Sequence, residues 1–81
     1  MTAGEAYRAK LLTDDALDAA IAAYLADPSQ PAMLEIGDKR LDVAAAVLAN
    51  AYSTEVLAQD GATGPQRRNA VTTAILLAPV G

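Results

Sequence analysis

The sequence predicts a small α+β domain, mostly helical, in which two main helices flank a short β-hairpin and a C-terminal apolar tail follows. Three observations carry that prediction. Residues 17–25 and 43–58 repeat apolar side chains at helical spacing, and "MLEIGDKRLDV" at 33–43 switches to strict alternation around Gly37-Asp38. The chain divides into a helix–hairpin–helix unit over 1–60, a basic linker over 61–69 and an apolar segment over 70–81.

The chain opens with Thr2 three residues before Glu5, the spacing of a capping box, which predicts a short helix over about residues 3–12 with Tyr7 and Leu11 on one face. Thr13 then starts the clearest helix. Its hydroxyl suits the first-turn amides, and Asp14 and Asp15 sit where the helix dipole favours negative charge. Leu17, Ala20, Ile21, Tyr24 and Leu25 form one apolar stripe, and Pro28 is expected to stop the helix because it disfavours helical angles in the residue before it. "DPSQP" reads as a connector.

For the hairpin, a two-residue Gly37-Asp38 turn of type II′ puts Gly37 at the position that needs positive φ. That register pairs Ile36 with Lys39, Glu35 with Arg40, Leu34 with Leu41 and Met33 with Asp42. A four-residue loop would instead set Glu35 against Asp42, a like-charge pair costing a few tenths to ~1 kcal/mol. The apolar face of Leu34, Ile36, Leu41 and Val43 must pack on something, since an isolated hairpin is marginal in water.

From Asp42 or Val43 a single helix is expected, with Ala44, Val47, Leu48, Ala51, Tyr52 and Val56 as its stripe and Gly61 as its stop. Two signals conflict in the tail. Thr63 and Gln66 with Pro65 between them look like a helix start. Arg67 and Arg68 oppose the dipole, and Val71, Thr72, Thr73 and Ile75 favour a strand. The capping signal tips the balance slightly to helix.

Composition narrows the function. With neither His nor Cys, the chain lacks the commonest acid–base group near neutrality, the thiolate nucleophile and any disulfide. Ser29 and Ser53 have no Gly-x-Ser-x-Gly setting, and no phosphate loop or calcium loop is present. Asp14 and Asp18 lie one turn apart, yet read best as helix-start acids in water. Tyr7, Tyr24 and Tyr52 fall at stripe positions and are expected in the core. We therefore expect no enzyme activity, no cofactor and no metal. A net charge of −4 argues against a nucleic-acid partner. No signal peptide is recognisable and the apolar run 70–80 is far short of the ~20 residues a bilayer needs, so a cytoplasmic protein without a membrane partner is expected. A single core near this length supplies only ~3–5 kcal/mol, and this one is rich in alanine without Phe or Trp, so association is the expected source of further stability.

The order of helix, short charged hairpin, helix and arginine-bearing Gly linker resembles the head–tail joining protein W family of tailed bacteriophages. The likeness covers about residues 2–69: a first helix on Leu17–Leu25, the hairpin on Met33–Val43, a second helix on Val43–Ala58, and "QRRN" at 66–69 in the place of that family's basic C-terminal segment. The chain departs from the family in its extra capped start at Thr13 and in its longer, more apolar tail. The resemblance implies a two-helix domain packed on a hairpin and a virion protein assembled as a homo-oligomeric ring at the capsid portal, touching portal and tail proteins.

Two functions remain open. One is a structural assembly protein whose protein contacts run through Glu35, Asp38, Lys39 and Arg40 on the hairpin, Arg67 and Arg68, and the tail residues Val71, Ile75, Leu76 and Leu77. The other is a small acidic regulatory module, such as an antitoxin, an inhibitor of a defence system or an adaptor, whose Asp14, Asp15 and Asp18 face a basic partner.

Overall fold

The structure is a computed structural model and describes residues 2–27, 29–30 and 32–80. In chain order it contains α1 (Ala3–Arg8), α2 (Asp14–Ala26), β1 (Met33–Ile36), β2 (Lys39–Asp42), α3 (Val43–Leu48), α4 (Ala51–Ala58) and α5 (Gly64–Leu77). It is an α+β fold, mostly helical, with a two-stranded antiparallel hairpin between helices.

The hairpin has the predicted register, Met33 to Asp42 through Ile36 to Lys39. Gly37 has φ +62°. Lys10 is the one described non-glycine residue with positive φ, so Asp38 is not, and that combination is the type II′ turn. Leu34, Ile36, Leu41 and Val43 are all buried, which is what alternation around this turn demands. Asp42 then caps α3, its carboxylate accepting from the Ala45 amide at 3.2 Å.

α1 has the predicted capping box, with Thr2 and Glu5 exchanging backbone and side-chain bonds. It ends at Arg8, earlier than the expected residue 12. Lys10 takes φ +64° while the Leu11 amide donates to the Ala6 carbonyl and the Lys10 amide to Tyr7. This is a Schellman stop with lysine in the seat that usually holds glycine. The short turn lets Thr13 cap α2 directly, accepting from Ala16 at 3.2 Å. The α2 stripe packs as predicted: Leu17, Ala20 and Ile21 are buried, with Tyr24 and Leu25 half-buried against the core. The predicted stop at Pro28 lies outside the described residues; α2 closes at Ala26, with Asp27 extended as its C-cap.

The single helix expected over 43–58 is corrected to two. Asn50 adopts an extended conformation and its side chain accepts from the Ser53 amide at 3.0 Å, so it starts α4 rather than continuing α3. Asparagine competes with the helical backbone through such local bonds. Thr54 reinforces the break by donating its hydroxyl to the carbonyls of Val47 and Asn50. The break rotates the apolar stripe. Val43, Ala46 and Val47 point inward, whereas Leu48, Ala51 and Tyr52 are exposed. α4 stops at Ala58 with Gln59 as its C-cap, so Gly61 is not the stop that the sequence suggested.

The tail resolves to helix. Thr63 and Gln66 form a complete capping box, with Pro65 inside the first turn. Residues 64–69, expected as linker, are the opening turns of α5. This helix packs on α1, α2, α3 and α4, and Ala70, Val71, Ala74 and Ile75 on it are buried. Fully burying a Val or Ile contributes about 1.5–3 kcal/mol, so α5 is the centre of the core rather than a segment waiting for an outside surface. Chain ends meet beside it: the Ala3 amide donates to the Ala78 carbonyl at 2.9 Å, and Thr2 bridges to Pro79.

Two close approaches make this packing possible. A Cβ on Gly4 would stand 2.9 Å from the backbone oxygen of Leu76, so α1 reaches α5 only because residue 4 has no side chain. Ser53 on α4 is fully buried and donates its hydroxyl to the Ala70 carbonyl at 2.6 Å. Serine is small enough for the crossing and carries the donor that keeps its oxygen satisfied.

Candidate interaction site

The structure separates the predicted contact residues into three groups. Glu35, Asp38, Lys39 and Arg40 are all exposed on the hairpin. Glu35 and Arg40 face each other across the strands at 3.6 Å, with both side chains about three-quarters exposed. Such a pair contributes about 0–1 kcal/mol and leaves both charges available.

Arg67 and Arg68 lie elsewhere. The Arg67 guanidinium donates through Nε to the Ala62 carbonyl at 3.3 Å, and Arg68 pairs with Asp18 of α2 at 3.5 Å. Their tension with the α5 dipole is met by these two acceptors. Among the described residues no hydrogen bond or ion pair joins the arginines to the hairpin charges.

The tail residues change role. Val71 and Ile75 are fully buried in the chain's own core, which corrects the expectation that they face a partner. Leu76 is half-buried against that core, and Leu77 alone is largely exposed, at 64%. The tyrosine expectation is corrected as well. Only Tyr24 packs on the core; Tyr52 is 55% exposed, and exposed Tyr7 donates its hydroxyl to Asp14. That bond, with the Asp14 charge behind it, raises the Tyr7 pKa above its ordinary value. The helix-start acids are thus spoken for in part, Asp14 by Tyr7 and Asp18 by Arg68.

Depressions on the surface of the described residues include the following three. One of about 450 Å³ lies where α1 turns into α2 and mixes Arg8, Lys10 and Asp14 with Tyr7 and Leu12. A second, about 170 Å³, lies between the ends of α3 and α5, walled by Ala46, Ala49, Ala74 and Leu77. The third, about 340 Å³, runs between β1 and the alanines of α2. Among the described residues no group of three or more His, Cys, Asp or Glu side chains could hold a metal ion.

Leu48, Tyr52 and Leu11 are exposed although the sequence puts them on apolar stripes, whereas Met33 is exposed as its alternation with Leu34 requires. Asn50 was the signal for the first two, since a cap at that position takes Leu48 and Tyr52 out of the helical stripe.

These features define a class: a small, mostly helical α+β domain with an exposed charged hairpin and isolated large apolar side chains on its surface. The chain matches no family model, no curated protein and no solved structure. Among the described residues, no helix is long and apolar enough to cross a membrane.

Proposed function

We propose that the chain is a non-enzymatic assembly protein that works through protein–protein contacts, as a homo-oligomeric component of the head–tail junction of a tailed bacteriophage particle. One observation carries the reading. In a chain of 81 residues, Leu48, Leu77, Tyr52, Leu11 and Met33 each leave about half or more of their surface in water, while alanines such as Ala3, Ala6, Ala70 and Ala74 occupy buried positions. Singly such side chains are ordinary surface, but together they offer apolar area that contact with other chains would remove from water. The charged hairpin supports it as well, because it lies between α2 and α3 with Leu34, Ile36 and Leu41 buried, and a docking element held in place by packing loses less freedom on binding.

The test is co-expression with the portal and tail-completion proteins of a phage, followed by native mass measurement and imaging. Incorporation as a ring of many copies is expected, and Leu48→Ser with Leu77→Ser should remove it while thermal unfolding stays unchanged. A chain that enters no particle refutes the proposal. The regulatory reading draws on the exposed Asp15 and the net charge of −4, and is recognised by a discrete, salt-sensitive complex with one basic target.

A further inference from the structure

The turn between α1 and α2 carries backbone strain. Among the described residues Lys10 alone, other than glycine, has positive φ, and left-handed angles crowd its Cβ against the following carbonyl. No helix breaker enforces a stop there. Residues 5–27 contain neither glycine nor proline, so with Lys10 at helical angles α1 and α2 can run on as one helix. Such a helix keeps a single apolar face. Ala6 and Leu17 stand eleven positions apart, about three helical turns, and both are buried.

α1 is a separable element. Its 6 residues are too few to be helical alone, and it packs on α5. The docking is specific: Gly4 lies against the Leu76 carbonyl, the Ala3 amide donates to the Ala78 carbonyl at 2.9 Å, and Thr2 bridges to Pro79. Ala3 and Ala6 are fully buried by it. The face of α5 that receives α1 thus has a visible occupant, and every copy of the chain carries one.

We propose that α1 exchanges between copies of this chain: Lys10 takes helical angles, α1 and α2 join, and α1 docks on the α5 of a second copy through the contacts it makes within one chain. The proposal rests on the homo-oligomeric part of the proposed function and names the element that links the copies. A lone chain gains nothing by opening, since Ala3, Ala6 and Leu12, all buried, would meet water. A second copy buries Ala3 and Ala6 again while the Lys10 strain is gone, so exchange grows with concentration. Two copies that trade α1 close a dimer, and copies that pass it onward close a ring.

The test uses the full chain with Thr2→Cys and Pro79→Cys. These positions face each other in an antiparallel bridge, with Cα atoms about 4.5–5.5 Å apart and within disulfide reach. The chain has no other cysteine. The protein is refolded from urea and oxidised over about a thousandfold range of concentration, then read on a non-reducing gel and by native mass measurement. Bonds within chains are expected when dilute, and bonds between chains when concentrated. Lys10→Gly relieves the closed turn and should lower the exchanged fraction about tenfold or more. Thr13→Ala removes a cap that only the closed turn uses and should raise it about fivefold. Bonds confined within chains at every concentration, in the Thr13→Ala background as well, overturn the proposal. So does a dimer whose disulfides are all internal, or linkage that either single-cysteine variant forms equally well. Exchange by a chain that enters no phage particle supports the linkage and removes the phage reading. Entry into particles with every disulfide internal overturns the linkage and leaves the assembly reading standing.

Discussion

Gly4→Ala sets two effects of opposite sign against each other. By helix propensity alone, replacing glycine with alanine inside a helix gains about 1 kcal/mol. Here the new Cβ would stand 2.9 Å from the Leu76 carbonyl oxygen, where ordinary contact begins at 3.4 Å. That oxygen is backbone in the last turns of α5 and cannot swing aside. α1 must then back away by roughly half an ångström, an overpacking cost of about 1–3 kcal/mol. Retreat also strains the Ala3–Ala78 hydrogen bond, which contributes about 1 kcal/mol. Ala3 and Ala6, both fully buried, would begin to meet water. The clash wins, and the net loss is about 1–2 kcal/mol. For a domain of this size that lowers Tm by about 4–16 °C in a thermal melt followed by circular dichroism at 222 nm. Gly61→Ala is the control. No atom lies within 4 Å of its added methyl and its φ is not positive, so it should hold Tm or raise it slightly. A Gly4→Ala protein that melts at or above the unaltered temperature refutes the close docking of α1 on α5.

Ser53→Ala should cost about 1 kcal/mol for the lost bond to Ala70, whereas Ser53→Val, which overfills the α4–α5 crossing, should cost about 1–3 kcal/mol; urea unfolding compares them, and a Val variant as stable as the Ala variant would show that the crossing has spare room. Asn50→Ala removes the α4 cap and should cost about 1 kcal/mol in the same assay, with the Ser53 and Thr54 amides exchanging faster with deuterium. Bonds from the Thr2 amide and hydroxyl hold the Glu5 pKa below its ordinary value, so this carboxylate stabilises the fold above the unfolded-state pKa and the contribution is lost as pH falls through the lower, folded-state pKa. Glu5→Gln keeps an acceptor for the Thr2 amide and should flatten the acid limb of stability against pH; an unchanged acid limb would mean that the α1 cap does not titrate.

The hairpin was legible residue by residue because its information is local. Alternation fixes the buried face, Gly37 fixes the turn, and the Glu35–Arg40 pairing rejects the competing register. The caps at Thr2, Thr13 and Thr63 were legible for the same reason, since each side chain bonds within three residues of itself, whereas Asp42 was one of two possible starts for its helix. Legibility failed where a local signal was present but outvoted. Asn50 is a cap residue inside an alanine run that reads as one continuous helix, and Lys10 occupies a left-handed position that sequence statistics assign to glycine.

The covering of α5 was illegible for a different reason. Whether an apolar helix waits for a partner or fills its own core depends on how closely its neighbours approach. That distance is set by Gly4, Ser53 and Ala70, three small residues far apart in the chain whose meaning appears only once they touch. The same geometry moves the search for partners. With Val71 and Ile75 enclosed, Leu77 is the one large exposed apolar group that the described tail residues leave for a partner.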